Sequence, residues 1–262
     1  MLLAVDVGNT QTHLGIFDQS SLIHEWRART EARRTADELA VLFGDFLALG
    51  DLSFSRQITG VAICSVVPRA TQELRAMTLQ YFGFRPLIVE PGIKTGIAVK
   101  TENPREVGAD RIVNAVAAHY LFPDEPVVVV DFGTAITVDA VSADGEYLGG
   151  AIAPGLDISA SALFSATAQI PRVELKAPPT AIGKNTVTAV QSGLIFGIAA
   201  LVDGLVERVE KELGGGARGV ATGGFSEQIV QHCGRIEQLE PQLTLLGLRL
   251  LFEANAAPEE PR

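Results

Sequence analysis

LLAVDVGNT at residues 2–10 and VVVVDFGT at residues 127–134 decide the reading of this chain. Each is an apolar run that ends in Asp-x-Gly, followed in the next one or two residues by a hydroxyl side chain. Asp6 and Asp131 stand nearly half the chain apart. A continuous apolar run such as Val127–Val130 fits a strand buried on both faces. The glycines that follow, Gly8 and Gly133, fit a turn where φ > 0 or a close backbone approach is needed. Asn9, Thr10, Gln11 and Thr12 in the first copy, and Thr134 in the second, add side-chain donors. Backbone N–H groups in tight turns form anion-binding concavities. Mg²⁺ binds through few carboxylates plus substrate phosphates, so an aspartate beside such a turn suits a metal-bound phosphate ligand. One D-x-G alone reads as a strand end; two after matched runs predict a duplicated fold, two strands bringing two carboxylates to one cleft.

Composition narrows the classes. The chain has 262 residues, 47% of them apolar, enough for one large domain or two of average size. Net charge is −10, and the densest basic stretch, Arg27 to Arg34, also holds Glu31. Binding a phosphate backbone requires a positive footprint, so nucleic acid is not an expected partner. The two cysteines, Cys64 and Cys233, have no CxxC partners and read as core residues of a reduced, cytoplasmic protein. No signal peptide is expected, because Asp6 interrupts the first apolar run. The most apolar long stretch, Gly193 to Val202, is stopped by Asp203 and reads as too short to cross a bilayer, so no membrane is expected.

The elements alternate in two rounds. Strands are expected at 2–7, 14–17 and 22–27. Thr35-x-x-Glu38 is a capping box for a helix to about Leu49, with Leu39, Leu42, Phe43, Phe46 and Leu47 inward. A strand at 61–67, a helix to about Phe82, a short strand at 87–89 and a loop over 91–105 follow. Ala109 to Leu121 reads as a helix with Ile112, Val113, Val116, Ala117, Tyr120 and Leu121 inward, and with Asp110, Arg111 and Asn114 away from that stripe. The second round has strands at 127–131, 135–141 and 146–152, a helix over 156–168 and a loop over 171–179. A long helix over 186–213 has Val190, Leu194, Ile198, Leu201, Leu205 and Val209 inward. A strand at 219–221, a Gly223-Gly224 turn, two short helical segments and a frayed tail from about Ala254 complete the chain. The pattern predicts an α/β protein of two similar halves: a lobe over 1–113, a lobe over 114–254 and a disordered 255–262.

Several motif matches fail on context. Gly214 to Gly219 spells G-x-G-x-x-G but lies after a helix and before a strand, the reverse of a dinucleotide fingerprint. Gly183-Lys184-Asn185-Thr186 lacks the Walker A glycine and has Asn185 in the hydroxyl place. There is no G-x-S-x-G or H-E-x-x-H, and the four histidines lack ligand spacing.

Gly108-Ala109-Asp110-Arg111 opens the helix before the second D-x-G copy. Asp110 suits a helix start electrostatically. Beside a phosphate cleft it also suits the placing of a hydroxyl nucleophile, since phosphoryl transfer depends on positioning and electrostatics. Arg111 suits a bidentate contact with a carboxylate.

Asp6-Val7-Gly8-Asn9-Thr10, Gly108 to Arg111, Asp131-Phe132-Gly133-Thr134-Ala135-x-Thr137-x-Asp139 and Gly149-Gly150-Ala151-Ile152-x-Pro154-Gly155, in this order, resemble the type III pantothenate kinases. That family belongs to the sugar-kinase, heat-shock-70 and actin ATPase superfamily. The resemblance runs from Met1 to about Leu250. It implies a duplicated ribonuclease-H-like (actin-like ATPase) fold, two lobes around a central cleft, and a homodimer. It implies transfer of the ATP γ-phosphoryl group to the primary hydroxyl of pantothenate, the first step of coenzyme A biosynthesis. Carried over by residue, Asp6, Val7, Gly8, Asn9, Thr10, Gln11, Thr12 and His13 surround the ATP phosphates, with Thr134 also on ATP and Asp6 holding Mg²⁺. Asp131 binds a monovalent cation, potassium or ammonium. Gly108, Ala109, Asp110 and Arg111 bind pantothenate, Asp110 being the proton acceptor, and Thr186 adds a hydroxyl to that pocket. Thr186 equally suits a helix cap beside Asn185. Gly223 and Gly224 lie near adenine, and Gly149 to Gly155 near the substrate pocket and dimer contact. Many members carry Tyr before the Asp/Glu-Asn-Pro that precedes this segment; here Thr101 stands in that substrate-site position. Rival readings are an accessory regulatory factor without catalysis, or another small-molecule kinase or phosphatase of the superfamily.

Overall fold

The two D-x-G strands each form the centre of a sheet. The computed structural model describes residues 1–54, 57–167 and 169–256. The first sheet contains β1 (Leu2–Val7), β2 (Gln11–Asp18), β3 (Ser21–Arg29), β4 (Gly60–Ser65) and β5 (Leu87–Ile88), in the order β3-β2-β1-β4-β5. β1 pairs antiparallel with β2 and parallel with β4. The second contains β6 (Ala98–Val99), β7 (Val127–Phe132), β8 (Ala135–Val141), β9 (Glu146–Pro154), β10 (Arg218–Thr222) and β11 (Gln238–Leu239), in the order β11-β10-β7-β8-β9-β6. Its β7 pairs antiparallel with β8 and parallel with β10. Apart from the added β6, the second sheet repeats the strand order and directions of the first. This is a duplicated ribonuclease-H-like fold.

Central burial explains the unbroken apolar runs. Leu3, Ala4 and Val5 of β1 and Val127 to Val130 of β7 are all buried. In the first unit, Leu3, Val5, Ile16 and Ile63 pack with Phe43 and Leu47 of α1 (Ala36–Leu49) and Leu74 of α2 (Pro68–Met77). α1 starts at the predicted capping box: Glu38 N–H donates to the Thr35 hydroxyl, and Thr35 N–H donates to the Glu38 carboxylate at 2.8 Å. A cap of this kind contributes about 1 kcal/mol. Phe43 and Leu47 are buried as expected, while Leu39, Leu42 and Phe46 are partly covered. α2 passes into one π-type turn over Thr78–Phe82, which ends at Gly83 in the left-handed region.

In the second unit, Val128, Val130, Phe132, Ile136 and Val138 face α4 (Leu156–Ala166) and the long α5 (Thr186–Glu212). α5 is long and apolar enough to cross a membrane, contrary to the reading of its apolar stretch as too short. Its buried stripe, Val190, Leu194, Ile195, Ile198, Ala199, Val202 and Val206, lies in the core of this unit. That stripe is rotated from the expected one, leaving Leu201 exposed. α6 (Ser226–Val230) follows β10.

The described chain divides into two compact units that are not contiguous in sequence. One comprises Met1–Gly96, Asn103–Ala117 and the chain from Thr244; the other comprises Ile97–Glu102 and Ala118–Leu243. A single boundary near residue 113 therefore does not describe the division. α3 (Ala109–Leu121) belongs mostly to the first unit, and α7 (Leu243–Asn255) returns the chain to it. The expected closing pair of short helices is in fact α6, the two-residue β11 and the thirteen-residue α7. Ala254 and Asn255, expected to fray, end α7, where Asn255 Nδ2 donates to the Lys94 carbonyl at 2.8 Å. The rest of the expected tail, from residue 257, lies outside the described residues. So does residue 168, the expected last residue of the helix that ends at Ala166. The loop over 91–105 contains β6 and a 3-10 turn at Pro104–Glu106. Cys64 is buried and Cys233 half-buried, and neither forms a disulfide. Burial, and secondarily Asp203, push the Cys233 thiol up to about 12.

Candidate functional site

The first unit presents Asp6 at the end of β1, opposite His13 of β2 and Cys64 of β4. Gly8 N–H donates to the Gln11 carbonyl at 3.0 Å and closes the turn. Gly8 does not adopt positive φ. A Cβ there would stand 3.1 Å from the Gln11 oxygen, a tight approach. Thr30, just after β3, supports this turn: its N–H donates to the Thr10 carbonyl, and its hydroxyl lies 2.9 Å from that of Thr12. Sequence reasoning missed Thr30, whose role arises only from the β2–β3 register. His13 Nε2 lies 3.3 Å from the Glu25 carboxylate. Burial, aided by the Arg27 charge, holds the His13 imidazole below its ordinary 6.5, against the opposing pull of Glu25.

The same unit carries Gly108 to Arg111 at the start of α3. Asp110 and Arg111 are half-buried. Arg111 N–H donates to Asp110 Oδ1 at 2.8 Å, which turns the carboxylate back over the helix start. A Cβ on Gly108 would stand 2.5 Å from that oxygen, so glycine here leaves room for the carboxylate. Gly108 also accepts from the Arg111 and Ile112 N–H groups. Asn114, expected on the polar side, is instead 1% exposed, and Tyr120 of the expected inner stripe is 58% exposed.

The second unit holds the other candidates. Asp131, half-buried at the end of β7, lies opposite Thr137 and Thr222. Gly133 N–H donates to the Ala135 carbonyl at 3.2 Å, a turn one residue tighter than that at Gly8 and again without positive φ. Gly223, by contrast, has φ 95°. A Cβ there would meet Asp131 Oδ1 at 2.4 Å and Phe132 N at 2.6 Å, so the turn after β10 packs directly on the Asp131 carboxylate. Gly155 N–H donates to the Thr134 carbonyl at 3.1 Å, which ties the Pro154-Gly155 step to the second D-x-G turn.

Thr101 is half-buried beside Gly149, and its Oγ1 is enclosed without a hydrogen-bond partner. Thr186 is exposed at the first turn of α5, while the cap is Asn185, whose side chain accepts from Thr188 N–H at 2.9 Å. Thr186 lines an open groove of about 770 Å³ with Ser159, Leu163, Lys184 and Asn185.

Among the described residues no three His, Cys, Asp or Glu side chains converge as a metal cage. A carboxylate beside a turn of backbone amides suits an ion shared with phosphate oxygens, as Mg²⁺ requires. Asp6 has that setting. Each D-x-G turn is closed by a bond from its glycine N–H, to a carbonyl three residues on at Gly8 and two residues on at Gly133, so the second hairpin is one residue shorter. The GADR turn presents a carboxylate anchored by its own helix.

The model of the family described as type III pantothenate kinase matches residues 2–208. A type III pantothenate kinase from Frankia alni is 50% identical over 256 residues, covering 97% of this chain and 100% of that protein. One from Streptomyces avermitilis is 51% identical over 262 residues, covering 97% and 98%. Among solved structures, a conserved putative Baf family transcriptional activator from Campylobacter jejuni superposes with a TM-score of 0.62 at 18% identity, covering 97% of this chain and 98% of that one. At that identity the likeness concerns the fold. Family-model coverage and half-identical relatives over nearly the full length lead to one conclusion: the chain belongs to the type III pantothenate kinase family.

Proposed function

We propose that this protein transfers the γ-phosphoryl group of ATP to the primary hydroxyl of pantothenate, giving 4'-phosphopantothenate and ADP at the first step of coenzyme A biosynthesis. The observation that carries this reading is the Gly108–Arg111 turn, intact within a chain half-identical to pantothenate kinases and with its Asp110 carboxylate fixed by Arg111 N–H. Asp110 accepts the hydroxyl proton as the oxygen attacks phosphorus in line with the departing ADP oxygen. A carboxylate is a weak base, so its main contribution is to orient the hydroxyl. Arg111 pairs with the pantothenate carboxylate, a bidentate contact that Lys would not reproduce. Gly108 and Ala109 complete that segment of the substrate site, with Thr101 and Thr186 as further contacts.

The turn amides and side chains from Asp6 to His13, together with Thr134, bind the ATP phosphates. When bound, Mg²⁺ offsets phosphate charge, and Asp6 holds it. Asp131 binds a monovalent cation, potassium or ammonium, in the carboxylate setting enclosed by Gly223. We further infer a cytoplasmic homodimer. The exposed apolar side chains Ile152, Ile158 and Ile182 of the second unit support an interface there.

The test is Asp110→Asn, measured as pantothenate-dependent ADP formation. Turnover should fall about 10²- to 10⁴-fold. Full turnover in this variant would remove Asp110 from the mechanism.

A further inference from the structure

α7 links the start of α3 to the strand that follows the first D-x-G turn. Thr244, in the first turn of α7, donates its hydroxyl to Asn114 Oδ1 at 2.8 Å. Both residues are buried, Asn114 at 1% and Thr244 at 8% exposure. Three residues further along α7, a Cβ on Gly247 would stand 2.2 Å from the Val113 carbonyl oxygen, so the two helices meet backbone to backbone. Leu245 of the same helix packs on Gly15 of β2, where a Cβ would lie 2.8 Å from the Leu245 Cδ1. All of these residues belong to one compact unit.

Asn114 lies four residues after Asp110 and therefore on the same face of α3. Besides Ile112, Val113 and Val116, the other buried apolar residues of α3 are alanines, at 115, 117 and 118. Such small side chains offer shallow ridges, and ridges are what fix one helix against another. A buried hydroxyl–amide bond has a narrow range of good geometries. It restricts the rotation of α3 where the alanines do not.

We propose that Thr244 and Asn114 are positioning residues that set the rotation of α3, and so hold the Asp110 carboxylate in place relative to β2. This rests on the reading of Asp110 as proton acceptor. Neither residue touches substrate; they act through the helix. A misplacement on the order of 1 Å suffices to cost about 10²-fold in rate, so a small rotation is enough to matter.

The test compares the full-length enzyme with Thr244→Val, Thr244→Ser, Asp110→Asn and the Thr244→Val/Asp110→Asn double variant. Each is measured for kcat, for KM of ATP and pantothenate, and for thermal midpoint. Thr244→Val should lower kcat about tenfold or more while KM for ATP stays within about twofold. Thr244→Ser, which keeps the hydroxyl, should restore kcat to within about twofold. Added to Asp110→Asn, Thr244→Val should cost nothing more, because both act on one group. Wild-type kcat in Thr244→Val beside an impaired Asp110→Asn overturns the inference alone, as does a full further loss in the double variant. Wild-type turnover in Asp110→Asn overturns the reading beneath it. Should Thr244→Val give no cooperative melt, Thr244→Ala is judged by the same outcomes.

Discussion

The Tyr147 hydroxyl donates to Asp139 Oδ1 at 2.8 Å, and both residues are essentially inaccessible to solvent. Asp139 closes the DFGTAITVD segment, and Tyr147 lies on the neighbouring strand β9. The bond thus fixes the hairpin that continues from the second D-x-G turn. Removing one partner of a buried bond leaves the other short of a donor, which costs more than the bond itself contributes. Tyr147→Phe should destabilise the protein by about 1–3 kcal/mol in urea unfolding. A midpoint equal to wild type would show that the hydroxyl adds nothing there.

Gly223 encloses the Asp131 carboxylate from the turn after β10. Alanine would place a methyl group against Asp131 Oδ1 and Phe132 N, at a φ of 95° that disfavours any side chain. Gly223→Ala should lose about 1–3 kcal/mol of stability through overpacking and strain. If Asp131 holds the monovalent cation, half-saturation by potassium should also rise. Unchanged stability and potassium response together would contradict both the close approach and the assignment.

His13 supplies a pH dependence of known sign. Its folded-state pKa lies below the ordinary 6.5, chiefly through burial. Above 6.5 both folded and unfolded chains carry neutral imidazole, and His13 makes no contribution. As pH falls below 6.5, the unfolded chain takes up a proton that the folded chain resists, so stability declines until the folded pKa is passed. The His13 ring protons, followed by NMR, should titrate below 6.5. A midpoint at or above that value would mean that the Glu25 contact outweighs burial.

Some of this fold was legible in the sequence, and physical reasons separate what was from what was not. β1 and β7 were plain because a strand buried on both faces needs an unbroken apolar run. The α1 start was plain because Thr35 and Glu38 form a local cap. Strands β6 and β11 were missed, since two residues carry no periodicity. The stripe of α5 was misplaced because apolar residues lie nearly all round it, and Ile195, Ala199, Val202 and Val206 fit a face as well as the chosen set. The same ambiguity made the closing helix α7, LTLLGLRLLFEAN, read as only a short segment before a polar tail. Within the candidate site, the D-x-G and GADR turns are short-range features readable by motif. The burial of Asn114 is not, because the helix that covers it lies 130 residues further along the chain. Gly8 and Gly133 were read as turns needing positive φ or a close backbone approach; neither adopts positive φ, and a Cβ would be crowded at Gly8 but not at Gly133.

Purified protein incubated with ATP, Mg²⁺ and potassium, with and without pantothenate, tests the central claim most directly. The account predicts that ADP appears only when pantothenate is present, with an equal amount of 4'-phosphopantothenate detected by mass. ADP formation indifferent to pantothenate, or none while the protein is folded and binds ATP, would contradict it.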